Sequence, residues 1–288
     1  MKKPYTIFRI LLIFAVLLIV NSAAAQDYHS VNREFNISAG STLEADIKVN
    51  LGRLFIYKGR LANTGRLNVY YDAGQYDFDF FFDENYSELY VTLEKEKYFE
   101  GFRDSKSLDD TAELTVYLPG NRNSNLDLSV KAGTMDLDLG GIPLTNLSIA
   151  SWVSKARIRF DEPNPVPLEY VKIDINVGDV RIYNFGNANF RDAIIDGGIG
   201  QLIIDLNGSY SKGNHFITID MDVGEVDITP PGNIEYRIRV NKWPLVSHLT
   251  IDRRLEKRGK YYYSKYFDDA ETTLTINVDI GIGECIIR

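Results

Sequence analysis

The stretch Lys172–Tyr183, KIDINVGDVRIY, is repeated in outline as TIDMDVGEVDIT at Thr218–Thr229 and as NVDIGIGECIIR at Asn277–Arg288. When Gly52, Gly133, Ser154, Gly178, Gly200, Gly224 and Gly283 share one position, small or apolar residues fall mostly one, three, five and seven places before it, then two and four after it. Around Gly178 that set is Val171, Ile173, Ile175 and Val177, followed by Val180 and Ile182. Such alternation identifies strands with one buried face. The residue before the glycine and the residue two after it both belong to the apolar set, so both are expected to point inward and the phase slips by one at the glycine. A slip of this kind marks a corner, and glycine suits it because it reaches backbone angles that a β-carbon penalises.

Successive corners from Gly133 through Ser154, Gly178 and Gly200 to Gly224 are 21, 24, 22 and 24 residues apart. That near-regular step predicts stacked coils with parallel pairing of equivalent strands. One coil buries too few side chains to make a core, so stability must come from the stack. The coil around Ser154 lacks a corner glycine and carries Ser151 in its apolar set, which makes it the poorest copy. Between the first two corners, Leu67–Tyr71, Asp77–Phe82, Leu89–Leu93 and Leu114–Leu118 alternate as strands joined by turn-like segments. The expected architecture is therefore all-β: a single-stranded β-solenoid of parallel stacked coils with an N-terminal antiparallel β-subdomain. Residues 26–120 form that subdomain, including the first solenoid-like unit, and 121–288 form the solenoid. An excursion at 230–270, opened by Pro230-Pro231-Gly232, interrupts the coils.

At the N-terminus, Lys2, Lys3 and Arg9 lead into the apolar run Ile10–Val20, and Ala23-Ala24-Ala25 precedes Gln26. This reads as an export leader over residues 1–25. The apolar run is shorter than a spanning helix needs, and no second one follows, so no integral membrane span is expected after cleavage. Removing the leader's three basic residues takes the formal charge from −8 to −11. So acidic a body argues against nucleic acid as the partner. Cys285 is the single cysteine and falls in an inward position, which makes it a core residue and leaves no internal disulfide.

Chemistry is sparse. His29, His215 and His248 lie in unrelated segments without metal-ligand spacing, and no nucleophile elbow, phosphate loop or dinucleotide fingerprint occurs in a suitable context. No cofactor and no catalytic residue are therefore expected. Two ordered features remain. Asp174, Asp196 and Asp220, with Asp279 beyond the excursion, stand four places before the corner and should form an outward ladder. The ladder is read either as a screened solvent face or as a row of carboxylates for a divalent cation such as calcium. The second feature is the excursion, where Arg253, Arg254, Lys257 and Arg258 interleave with Trp243 and Tyr262 in a segment of net charge +7 from Arg237 to Lys265. These six residues are the candidate partner-contact surface, read against packing of the same aromatics on the solenoid flank. The aromatic N-terminal strands, with Phe78, Phe80, Phe81, Phe82 and Tyr90, are read as core, or as a platform for sugar rings.

The segments KIDINVGDVRIY, TIDMDVGEVDIT and NVDIGIGECIIR, together with VNLGRLFIYKG, RLNVYYD and LYVTLE in Leu43–Glu94, resemble the bacterial toast-rack family, the β-solenoid modules of LiaF-type envelope-stress proteins and adhesin-like chains. The resemblance implies a noncatalytic envelope module that acts through protein contacts or as a scaffold, linked to envelope stress or adhesion, and it carries no catalytic residues. LiaF-type members have several membrane helices before the solenoid, where this chain has only the export leader. The expected function is an exported binding or scaffold protein, in the periplasm or at the cell surface, whose partner is an envelope protein or an anionic envelope polymer. The alternative is a carbohydrate-active enzyme or a calcium-dependent polysaccharide-recognition module on the acidic face.

Overall fold

The computed structural model describes residues 27–95, 112–243 and 245–288. The expected leader, residues 1–25, lies outside them. Long strands dominate: β2 (Leu43–Lys58), β7 (Ser124–Asp138), β8 (Leu144–Arg159), β9 (Leu168–Tyr183), β10 (Phe190–Asp205), β11 (Gly213–Thr229) and β16 (Thr272–Ile287). Each is one coil, and consecutive coils pair in parallel with the aligned corner residues opposite one another: Gly52 with Gly133, Gly133 with Ser154, and so on to Gly224 with Gly283. The fold is thus an open, mostly parallel 16-stranded sheet that bends at a column of glycines.

The bend forces a correction to the expected side-chain pattern. In every coil the residues at seven, five and three places before the corner, and two and four after it, face the core; around Gly178 these are Val171, Ile173, Ile175, Val180 and Ile182. The residue immediately before the corner faces outward instead: Val153 is 53% exposed, Ile199 56% and Ile282 51%. The pairing ladder skips the residue two before each corner, for instance Asp222 and Gly281 between Met221–Ile280 and Val223–Ile282. The extra residue therefore sits there, and the phase changes one place earlier than the apolar pattern implies. The result is a column of seven outward apolar residues in register, from Leu51 and Ala132 through Val153, Val177, Ile199 and Val223 to Ile282.

At the N-terminal end, β2 carries two arms. Its first half pairs with β5 (Glu88–Lys95), which pairs with β4 (Tyr76–Asp83). Its second half pairs with β6 (Glu113–Leu118), then β3 (Thr64–Asp72), then β1 (Tyr28–Asn36). The β4–β5, β6–β3 and β3–β1 pairings are antiparallel, and the arms meet through Phe35 against Phe82 and Tyr71 against Phe78, with ring centroids 5.2 and 5.9 Å apart.

The excursion is organised differently from the interruption expected. Its first part, β12 (Glu235–Lys242) and β13 (Ser247–Ile251), pairs in parallel with the two halves of β16 and forms a further coil, with Ser247 opposite Gly283. Strand β16, last in sequence, therefore runs between β11 and this outermost coil. Two short strands, β14 (Glu256–Arg258) and β15 (Tyr261–Tyr263), form a hairpin whose β15 pairs with β12. No helix of the described residues is long and apolar enough to cross a membrane.

Candidate interaction surface

The basic segment is anchored by the outermost coil. The carbonyl of Trp243 accepts hydrogen bonds from the backbone N–H groups of Val246 and Ser247, and Lys242 Nζ donates to the Ser247 carbonyl at 2.8 Å. The Ser247 hydroxyl donates to the carbonyl of Gly281, which fastens β13 to β16. Beyond it, aromatic rings carry cations. The Arg237 guanidinium lies 4.8 Å from the Tyr261 ring and 5.3 Å from that of Phe267, and its Nε donates to Thr275 Oγ1. Arg258 lies 3.9 Å from Tyr263, Lys257 5.3 Å from Tyr262 and Lys265 4.8 Å from Tyr266. Contacts of this kind hold a cation at the surface while leaving its charge exposed.

The six residues expected to share this surface divide. Lys257 and Tyr262 face one another across the β14–β15 hairpin. Arg254 is neutralised by Asp252, whose carboxyl its side-chain and backbone hydrogen bonds hold below the usual range. Arg258 is paired with Asp268, and that hydrogen bond holds its guanidinium above the usual range. Arg253 is exposed and makes no ion pair among the described residues. Trp243 falls elsewhere: it borders a shallow cavity of about 360 Å³ with Asp220, Asp222, Asn241 and Asp279. Charge counting took in Asp252 but not Asp268, which lies beyond the stretch counted and meets Arg258 only once the chain turns back.

The aspartate ladder is in register. Asp174 pairs with Asp196, Asp196 with Asp220 and Asp220 with Asp279. Because β16 is inserted next to β11, Asp279 extends the ladder directly, and Asn241 of β12 closes it by donating to Asp279 Oδ1 at 2.7 Å. Partial burial and the charges of Asp279, Asp222 and Asp196 push the Asp220 carboxyl up. Among the described residues, no three histidine, cysteine, aspartate or glutamate side chains converge in a group able to hold a metal ion. His215 is buried, with its ring nitrogens 2.6 and 2.9 Å from the carbonyls of Phe190 and Ser211. Of the aromatic N-terminal strands, Tyr76 is buried and Phe78, Phe80 and Phe82 pack on the core, whereas Phe81 and Tyr90 are exposed and pair with one another at 6.2 Å.

Three solved structures are similar to this chain in outline. A provisionally named cell adhesion protein from Clostridium sporogenes covers 90% of this chain and 99% of its own, at 15% identity and a TM-score of 0.43. A provisionally named adhesin from Bacteroides fragilis covers 90% and 97%, at 12% identity and a TM-score of 0.32. A provisionally named lipid binding protein from Parabacteroides distasonis covers 90% and 97%, at 8% identity and a TM-score of 0.34. No curated protein matches the chain. Residues 23–183, which include the first four aligned corners, match the family model described as the N-terminal domain of toast_rack, DUF2154, and the chain belongs to that family.

Proposed function

We propose that this chain is an exported, noncatalytic binding protein of the bacterial envelope, in which residues 1–25 direct export and the rigid stack presents the basic hairpin to an anionic envelope polymer. The observation that carries this reading is the set of cations left uncompensated there: Arg253, Lys257, Lys260 and Lys265 are exposed and form no ion pair among the described residues, on a chain with a formal charge of −8. A local basic surface on an acidic body captures polyanions while the body repels them, which fixes the binding face. The stack supplies rigidity, since β12 and β15 tie the hairpin to the last coils.

The test is cosedimentation of the full chain with a purified anionic cell-wall polymer. Substituting serine at Arg253, Lys257, Lys260 and Lys265 together is expected to abolish retention without moving the unfolding midpoint. Arg254 and Arg258 are left intact because their removal would free Asp252 and Asp268 and add negative charge. Retention unchanged by the four substitutions would refute the surface.

A further inference from the structure

The outward apolar column is the feature that neither the solenoid core nor the basic hairpin uses. It runs along the bend for seven strands, about 29 Å at the usual strand spacing. Trp152, beside Val153, widens it and is 69% exposed. A continuous apolar strip of this kind on a water-facing ridge marks a contact surface.

The charges beside the strip identify its occupant. At the outward positions within three residues of the strip, the first three coils carry only basic charge, Lys48 and Lys131 on one side and Arg53 and Lys155 on the other, with Asp46, Asp127 and Asp136 one outward position further away. In the next four coils they carry only acidic charge: the aspartate ladder and Asp222 on the first side, Asp179, Glu225 and Glu284 on the second. The switch in sign falls between neighbouring strands, where Lys155 pairs in register with Asp179. Lys131 and Lys155 make no ion pair among the described residues, whereas Lys48 meets Asp46 and Arg53 meets Glu113.

We infer that the strip is the interface of a homodimer in which two copies pack ridge to ridge with their columns antiparallel. A two-fold axis lying in the interface along the strand direction reverses the column while keeping each flank facing its own equivalent. Basic coils of one copy then lie against acidic coils of the other on both flanks. A parallel arrangement sets like charge against like and is disfavoured. The interface is isologous, as closed two-fold dimers require, and the charges of the first three coils complement those of the later coils.

The experiment is sedimentation velocity on the full chain, with a zero-length carbodiimide cross-link as a second readout. A dimer is expected that weakens as salt rises. Ile199→Asp, at an outward position that leaves the core untouched, is expected to weaken dimerisation by at least about tenfold, as loss of a central interface anchor does. Lys155→Glu weakens it as well, and adding Glu225→Lys to Lys155→Glu restores it. Cross-linked peptides should join Lys131 or Lys155 of one copy to an acidic residue of the four later coils of the other. A monomeric native chain, a dimer indifferent to Ile199→Asp, or intermolecular links confined to the basic hairpin would each overturn the inference.

Discussion

The carbonyl oxygen of Gly200 occupies the space that a β-carbon on Gly224 would need. The same overlap recurs up the column, with each corner glycine from Gly133 to Gly283 lying over a carbonyl of the coil before it. Gly224 also has φ of 146°, which side chains rarely adopt. Gly224→Ala should therefore cost about 3 kcal/mol or more, from strain and overlap together. Gly40 offers a comparison, since its φ of 82° is also positive but nothing lies within 4 Å of its would-be β-carbon. Gly40→Ala should cost only about 1 kcal/mol, and a larger fall in urea midpoint for Gly224→Ala checks that the corner is the more constrained site.

Ser151 and Ser154 are buried, and their hydroxyls find no hydrogen-bond partner among the described residues. Ser151 pairs with Val130 on one side and Ile175 on the other, both core residues. A hydroxyl buried without a partner costs its desolvation, so Ser151→Ala should raise stability by about 1 kcal/mol while leaving almost no cavity. An unchanged or lowered urea midpoint would mean that the hydroxyl is satisfied in solution.

The glycine register was legible because, where the corner takes a positive φ, the stacked carbonyl leaves no room for a β-carbon; Ser154 fills its corner without that positive φ. Periodicity placed the residue before the corner inward, and the structure turns it outward. An apolar residue at Ile199 reads equally well as the last inward position or as an outward one, and only the skipped partner in the ladder decides. The coil of β12 and β13 escaped notice because Ser247 stands where the repeat has glycine and its two halves are separate strands. Insertion of β16 beside β11 has no local signal at all, since strand order follows from pairing across the sheet. The aspartate ladder was legible from spacing, while its closure by Asn241 depended on that unseen coil.

Asp220 should behave as a destabilising charge near neutral pH. Its carboxyl is pushed up by burial first and by the neighbouring aspartates second, so the folded chain binds its proton more tightly than the unfolded one. Between the two titrations stability falls as pH rises, and below both the cost disappears. Asp220→Asn should therefore raise Tm by about 1–2 °C at neutral pH, corresponding to relief of roughly 0.5 kcal/mol between like charges on adjacent strands. The gain should fade as pH drops through the carboxylate range. Thermal melts of both chains across that range check it, and a gain independent of pH would assign the effect to packing instead.

Cys285 tests the insertion of the last strand. It is fully buried on β16, in register with Val226 on one side and Leu249 on the other, and burial pushes its thiol up to about 12, with smaller contributions from Asp227 and Glu284. The thiolate is the reactive form, so burial and the raised titration both protect it in mildly alkaline buffer. Because β16 pairs on both sides, exposing the thiol requires breaking two ladders rather than fraying an edge. The expected result is one unreactive thiol toward an aromatic disulfide reagent in native buffer and full reaction in urea, with a labelling rate that follows global unfolding. Fast labelling under native conditions, at unchanged Tm, would show that the outermost coil opens by itself, and β16 would then be an edge strand in practice.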